Sequence, residues 1–195
     1  MICVSYKKWI PVLSRVLRER MPEKSLFETH GADHVLRVWK RAEKLGKRLS
    51  ADMDVLVAAV FLHDLGRKFA DSEEHGVKSA EIAAPILVKI GFPKEKRGAV
   101  LDAIAKHDFS TLRSARKSVE AKILYDCDKM DAFGVIGVTR HLLFYAPRSY
   151  APADFVRMVD SRWNGLCLAE GRRLARADYV YAKNFFKELR KEFGD

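Results

Sequence analysis

The sequence predicts an all-α fold, a single domain over residues 1–195 built from about eight or nine helices. Apolar residues recur every three or four positions along almost the whole chain, which is the period of an amphipathic helix. No segment shows the sustained alternation of apolar and polar residues that is typical of strands. Glycine, proline and serine separate the helical segments at short intervals, and no domain boundary is indicated.

Apolar stripes and boundary residues delimit the helices. The first stripe begins at Trp9 and ends before Pro22, because proline does not continue a helix. Gly91 and Pro147 are likewise expected to end helices, and Pro93 is expected to open one. Further helices are predicted over about 35–49, 77–90, 94–106, 116–131, 133–145, 152–170 and 174–193.

The third helix carries the longest apolar run of the chain, Val55–Leu62. Ser50 and Asp52 are candidate caps for its start, and Gly66 is expected to end it. A helix that is apolar on every side is expected at the centre of the core. The run is far shorter than the roughly 20 apolar residues that cross a bilayer, so we expect no membrane span.

The chain is basic, with 36 Lys and Arg against 26 Asp and Glu and a formal net charge of +10. The excess is concentrated in residues 1–50, which hold 12 basic and 5 acidic residues, whereas 51–100 hold 7 and 8. This balance predicts an anionic partner, either a small phosphate-containing substrate or, secondarily, nucleic acid. The hydrophobic fraction of 48% excludes a disordered chain.

Cysteine usage and the N-terminus predict a cytoplasmic protein. Cys3, Cys127 and Cys167 are scattered and form no CxxC pair, which is typical of a reducing compartment. Lys7 and Lys8 interrupt the apolar residues near the N-terminus, so no signal peptide is expected there.

Histidine and aspartate residues mark a candidate metal site. The central helix ends directly in His63-Asp64, and both side chains are costly to bury unless each has a partner. Neighbouring helical residues point about 100° apart, so the two side chains can reach one ion beyond the helix end. The alternative is a local His–Asp pair or a helix cap, with the imidazolium stabilised by the helix dipole.

Four further residues lie near predicted helix ends, and a helical bundle can gather such side chains around one centre. His75 is expected in a polar loop before the fourth helix. Imidazole and carboxylate ligands without thiolate suit Mn, Fe, Co, Ni or Zn, and the spacing does not select among them. The four residues are His34, His75, His107 and Asp128.

The sequence around these residues contains Asp-His-Val-Leu-Arg-Val, Phe-Leu-His-Asp-Leu-Gly-Arg-Lys and Asp-Cys-Asp-Lys-Met-Asp-Ala. These strings, in this order, resemble the motifs of the HD-domain superfamily of metal-dependent phosphohydrolases, in particular its small stand-alone members. The resemblance covers roughly residues 28–140, and residues 150–195 are predicted to form a helical C-terminal extension.

The resemblance implies a site for a divalent cation: Mn, Fe, Co, Ni, Zn or Mg. Asp128 is preferred to Asp126 and Asp131 because it precedes the basic residue of the family motif. Asp131 is instead a candidate to orient a ligand histidine. The implied metal ligands are His34, His63, Asp64 and Asp128.

His75 and His107 resemble two further histidines of the dinuclear members of that family. In that arrangement Asp64 would bridge two ions. In a mononuclear site the two histidines would instead serve as proton donors, as phosphate ligands or as hydrogen-bond partners of the metal ligands.

Together these features predict a phosphohydrolase that attacks a phosphate ester of a nucleotide or another small molecule with a metal-activated water. The predicted catalytic residues are Asp64, Lys68, His75 and His107, and Arg67 together with Lys68 is placed to contact the substrate phosphate. Two alternatives stay open: a dinuclear-iron oxygenase of the same fold, and a basic nucleic-acid-binding helical module.

Overall fold

The computed structural model of the chain describes residues 5–21, 31–67, 69, 75–108, 115–145 and 150–194. Within these ranges the chain forms nine α-helices and no strand, which confirms the predicted all-α fold. No helix in the described ranges is both long enough and apolar enough to cross a membrane. The helices are α1 (Trp9–Arg20), α2 (Ala32–Arg48), α3 (Met53–Leu62), α4 (His75–Lys89), α5 (Lys94–Ala105), α6 (Val119–Met130), α7 (Gly134–Tyr145), α8 (Pro152–Gly165) and α9 (Ala169–Glu192).

Helix α3 lies at the centre of the fold, as its apolar sequence predicts. The carboxylate of Asp52 caps its start by accepting the backbone N–H groups of Asp54 and Val55. Residues 55–62 are each at most 3% exposed, and α1, α2, α5 and α6 pack around them. Burying an aliphatic side chain of this size contributes about 1.5–3 kcal/mol, so the surrounding core fixes the position of α3 firmly.

Helices α2 and α6 pack against each other and against α3. The apolar stripe predicted for α2 is buried in this contact. The N-terminal end of α2 and the C-terminal end of α6 both lie near the end of α3, which brings their polar residues together. The buried stripe consists of Val35, Val38, Trp39, Ala42 and Leu45.

Two helix starts differ from the prediction because side chains cap them. Helix α4 begins at His75, so this histidine is the first residue of a helix and not part of a polar loop. The carboxylate of Asp108 accepts the N–H of Gly76 at 2.6 Å and so satisfies a free donor at that helix start. Helix α6 begins at Val119, three residues later than predicted, because the Ser118 hydroxyl accepts a backbone N–H of its first turn.

The prediction is wrong where α8 gives way to α9. The break between these two helices was expected after about residue 170, but α8 ends at Gly165 and α9 begins at Ala169. Between them, the carboxylate of Asp126 accepts the backbone N–H of Cys167 at 2.7 Å and that of Leu168 at 2.9 Å. Asp126 is 41 and 42 residues from these partners, so local periodicity does not reveal where the break falls.

The packing of α7 against α8 and α9 encloses His141, which is 3% exposed. Its Nδ1–H donates to the Gly137 carbonyl at 2.8 Å, and its ring lies 6.3 Å from that of Phe155 and 5.6 Å from that of Phe186. Burial, together with the positive charge of Arg162, lowers the pKa of His141 to about 3. His141 is therefore a neutral core residue at physiological pH.

Replacing His141 with glutamine is expected to make the fold less sensitive to acid. In the unfolded chain the pKa of histidine is about 6.5, so below this pH protons bind the unfolded chain in preference to the folded one. Stability is therefore lost as the pH falls from 6.5 toward the folded pKa. Between pH 7.5 and pH 5 the wild type is expected to lose roughly 2 kcal/mol more of its free energy of unfolding than His141→Gln. Urea unfolding at both pH values measures the difference, and equal losses in the two proteins would contradict it.

Candidate metal centre

His63 follows α3 directly and presents one ring nitrogen to the interior of the site. Its Nδ1–H donates to the Val60 carbonyl at 2.7 Å, which leaves the lone pair on Nε2. This Nε2 is buried and makes no hydrogen bond to any residue in the described part of the chain. Burial lowers the pKa of His63 to about 4, so the ring is neutral. A buried nitrogen left without a partner costs about 1–3 kcal/mol, and a bound cation would remove this cost.

The carboxylate of Asp64 lies between two pairs of imidazoles, and the residue is 2% exposed. Its Oδ2 lies 3.6 Å from His34 Nε2 and 3.5 Å from His63 Nε2. Its Oδ1 lies 3.3 Å from His75 Nε2 and 3.6 Å from His107 Nε2. Each oxygen of Asp64 therefore faces one pair of histidines.

His34 and Asp128 complete the side of the site formed by α2 and α6. His34 Nε2 lies 3.1 Å from Asp128 Oδ1, and His63 Nε2 lies 3.9 Å from the same oxygen. Burial alone would raise the pKa of Asp128, but the charge of Lys129 and the contact with His34 hold that pKa well below its usual range. Asp128 is therefore a carboxylate at neutral pH.

His75 and His107 form the opposite side, with their Nε2 atoms 3.0 Å apart. Burial alone would lower the pKa of His75, but its hydrogen bonds to Asp108 and Asp64 outweigh this effect and raise the pKa to about 9. At neutral pH this arrangement favours an imidazolium at His75, whose Nε2–H can donate to His107 Nε2.

All four histidines are oriented in the same way: a hydrogen-bond acceptor binds Nδ1, and Nε2 faces the candidate metal centre. The two histidines that follow helix ends use a carbonyl three residues back, Val60 for His63 and Ile104 for His107. Such carbonyls belong to the last turn of a helix, where they lack a partner within the helix. The two histidines at helix starts use distant carboxylates, namely Asp131 for His34 at 2.8 Å and Asp108 for His75 at 2.7 Å.

The donor set fits a divalent cation. Within the described residues, three groups of buried ligand atoms could each hold an ion, and the atoms of each group lie within 4.8 Å of one another. Neutral imidazole and carboxylate are the ligand types that suit such an ion. The groups are His34, His63 and Asp64; His63, His107 and Asp128; and Asp64, His75 and His107.

Asp131 supports His34 and is itself bound by three arginines. Arg37 donates through Nε and Nη2 at 2.9 Å each, Arg41 through Nη1 at 2.9 Å, and Arg140 through Nη1 at 2.6 Å. Although Asp131 is buried, its hydrogen bonds to His34 and Arg37 hold its pKa far below the usual range. A carboxylate in this position fixes the ring of a ligand histidine and increases its basicity.

The positively charged side chains of Arg67 and Lys129 contact carboxylates of the site, and only Arg67 was predicted from the sequence to bind phosphate. Arg67 donates through Nε to Asp64 Oδ1 at 3.2 Å, and its side chain is 22% exposed. Lys68 lies outside the described residues. Lys129, which the sequence analysis did not select, donates through Nζ to Asp128 Oδ2 at 2.7 Å.

Asp108 is the functional candidate that the sequence analysis missed. A signal for it existed, because His107-Asp108 after α5 repeats the His-Asp pair that follows α3. Arg116 donates through Nη2 to the Asp108 carbonyl and through Nε to the Lys106 carbonyl at 2.7 Å, so this segment is anchored from the side of α6.

Comparison with known proteins agrees with this geometry. The HD domain family matches residues 31–132 of the chain. The uncharacterized protein YpgQ of Bacillus subtilis is 26% identical over 175 residues, which cover 84% of each protein. Among similar solved structures, a Lactobacillus plantarum protein is 19% identical with a TM-score of 0.77, and the match covers 100% of this chain and 99% of that one. A predicted HD-superfamily hydrolase from an uncultured Thermotogales bacterium is 23% identical with a TM-score of 0.67, and the match covers 94% of this chain and 92% of that one. B. subtilis YpgQ in complex with ADP is 21% identical with a TM-score of 0.72, and the match covers 97% of each chain.

A helical fold that gathers histidines and aspartates at the end of a central buried helix defines a class of metal-site proteins. Because the family match covers more than half of the sequence, the chain belongs to the HD-domain family. The resemblance stated from the sequence motifs is thereby confirmed, and the solved structures share the fold over nearly the whole chain.

Replacing Asp64 with asparagine is expected to remove most of the bound metal. An amide is a weaker ligand than a carboxylate, and Asp64 lies between all four histidines. Elemental analysis of protein purified without chelator measures the metal content per chain. The matched control is Asp102→Asn, which removes the same charge from a half-exposed residue of α5. Equal metal content in wild type and Asp64→Asn would contradict the assignment.

Replacing Asp131 with asparagine is expected to weaken metal binding by about 10–100-fold, because the His34 ring loses its carboxylate acceptor. Competition against a chelator measures the affinity, and a circular dichroism melt establishes that the variant is folded. A folded variant with unchanged affinity would show that Asp131 does not support the centre.

Proposed function

We propose that this chain is a metal-dependent phosphohydrolase that acts on a phosphate ester of a nucleotide or another small molecule. The observation that carries the proposal is the buried Asp64 carboxylate, placed between two pairs of histidines with Arg67 beside it. Membership of the HD-domain family supports hydrolytic chemistry. The ADP in the YpgQ structure supports a phosphate-containing ligand.

We assign the ion to His34, His63, Asp64 and Asp128, the four residues that the sequence motifs also select. A divalent ion supplies Lewis acidity there, lowering the pKa of a bound water toward about 7 and neutralising phosphoryl oxygens. Mn, Fe, Co, Ni, Zn and Mg are all compatible with imidazole and carboxylate ligands.

Arg67 and Lys129 bind the substrate phosphate in this proposal. Within the described residues only the Nε of Arg67 is engaged, so its two Nη groups remain for a phosphoryl oxygen. A guanidinium binds such oxygens through parallel hydrogen bonds, and the Lys129 ammonium adds a second positive charge beside Asp128. Lys68 keeps its predicted place in the same role.

His75 moves the proton in this proposal. Its Nε2 faces Asp64 and His107, and its pKa of about 9 keeps a proton on the ring at neutral pH. A general acid in this position donates that proton to the leaving oxygen. Asp108 holds Nδ1 and so orients the ring. His107, with its lone pair on Nε2, takes up the proton that the attacking water releases and passes it to His75, which replaces the proton given to the leaving oxygen.

The dinuclear alternative uses the same residues differently. Asp64, His75 and His107 form one of the groups able to hold an ion, and His75 would give up its proton on binding it. Two ions per chain would favour this arrangement. Iron with a visible absorption band and substrate-dependent oxygen uptake would favour the oxygenase over the hydrolase.

The activity is tested with a panel of nucleotides and generic phosphate esters, each assayed with Mn, Co, Ni, Mg and Zn. The expected result is metal-dependent release of phosphate or pyrophosphate from at least one substrate. Absence of release from every substrate by fully metal-loaded protein would contradict the proposed function.

On the best substrate of that panel, Arg67→Gln is expected to lower kcat/KM by roughly 30–100-fold. This is the effect of losing one charge-assisted contact of about 2–2.7 kcal/mol. The control is Arg48→Gln, which removes the same charge from the exposed end of α2. Metal content is measured on both variants, and equal kcat/KM for the two would exclude the assigned role of Arg67.

A further inference from the structure

A second cationic feature lies between α2 and α9, apart from the groups assigned to the metal and the phosphate ester. A cavity of about 320 Å³ opens there. Asp131 separates it from the metal centre, since this carboxylate binds Arg37 and Arg41 as well as His34. The cavity is lined by Arg37, Lys40, Arg41 and Lys44 of α2, Met130 of α6, and Leu174, Ala175 and Asp178 of α9.

The lining carries an excess of positive charge that the carboxylates of the described residues neutralise only in part. Asp131 is the carboxylate that binds Arg37 and Arg41, and it also accepts hydrogen bonds from Arg140 and His34. Lys40 and Lys44 are exposed, and neither forms an ion pair with a carboxylate in the described ranges. Four cations therefore line the cavity against a single lining acid, Asp178.

This clustering is unfavourable for the helix itself. The four cations lie three or four residues apart, at positions 37, 40, 41 and 44, so they share one face of α2. Like charges at this spacing destabilise a helix. Elsewhere on α2 the chain follows the opposite rule, since Lys47 pairs with Glu43 at 2.8 Å. A bound anion would relieve the repulsion on the cavity face.

The shape of the cavity indicates the size of that anion. Residues 37 and 44 are about 10 Å apart along the helix, longer than one phosphate group. A cavity bounded on its other side by α9, with an acid in its lining, suits a small ligand better than the extended backbone of a nucleic acid. Met130, Leu174 and Ala175 add an apolar surface for the uncharged part of an organic ligand.

We propose that the cavity between α2 and α9 is a binding site for a small diphosphate-bearing anion, separate from the metal centre. Lys40 and Lys44 bind the phosphoryl oxygens through charge-assisted hydrogen bonds, and Arg37 and Arg41 share their guanidinium groups between Asp131 and the ligand. The site uses none of the metal ligands, so it stands independently of the proposed hydrolase activity.

The test uses inorganic pyrophosphate as the probe and isothermal titration of the chelator-treated chain of residues 1–195. Metal-free wild type is expected to bind pyrophosphate, because the proposed site contains none of the residues assigned to the metal. The double variant Lys40→Gln/Lys44→Gln is expected to bind at least about tenfold more weakly. Both lysines are exposed, and a thermal melt establishes that the variant folds.

The matched control is the double variant Lys47→Gln/Arg48→Gln, which removes the same charge from the same helix outside the cavity. It is expected to bind pyrophosphate like the wild type. If both double variants lose the same affinity for pyrophosphate, the binding depends only on general charge attraction, and the proposed site is wrong. No binding by the metal-free wild type would also overturn it, and so would displacement of pyrophosphate by a short single-stranded or duplex nucleic acid, which would favour a polymer surface.

Discussion

The structure depends on the burial of one carboxylate, Asp64, directly beyond a helix that is apolar on every side. A charge in such a place costs several kcal/mol unless it is paired and hydrogen-bonded. Two pairs of imidazoles and the Arg67 guanidinium surround it, and they come from α2, α4 and the segments that follow α3 and α5. The packing of these helices is therefore constrained by the need to bring polar groups to one point.

The orientation of the four histidines follows from where each lies on its helix. A histidine just beyond a helix end finds a free carbonyl one turn back, so His63 and His107 are oriented locally. A histidine at a helix start has no such carbonyl nearby. His34 and His75 therefore need carboxylates from elsewhere, and Asp131 and Asp108 provide them. The result is the same for all four rings: Nδ1 is fixed from behind and Nε2 faces the centre.

The basic character of the chain has a structural basis in α2. Part of the excess positive charge of residues 1–50 is paired with Asp131, because Arg37 and Arg41 bind this carboxylate. These ion pairs keep Asp131 ionised, and the carboxylate orients His34. The rest of that helix face, Lys40 and Lys44, is not used in this way. The positive charge therefore has two separate roles: an internal one behind the metal centre and an external one toward an anion in the cavity between α2 and α9.

The sequence by itself determined the helical fold, the central position of α3 and the selection of His34, His63, Asp64 and Asp128 as candidates. These features are local or ordered along the chain: an apolar run, a His-Asp pair at its end, and motifs in a fixed order. The sequence also made Asp131 a candidate to orient a histidine, but only the tertiary structure decided that this histidine is His34, that Asp108 orients His75, and where α8 ends. Asp131 lies 97 residues from His34, and Asp126 lies 41 residues from Cys167, so contacts between them arise only when α6 packs against α2 and α9. Periodicity describes one helix at a time, and a carboxylate that reaches a partner on another helix leaves no trace in it.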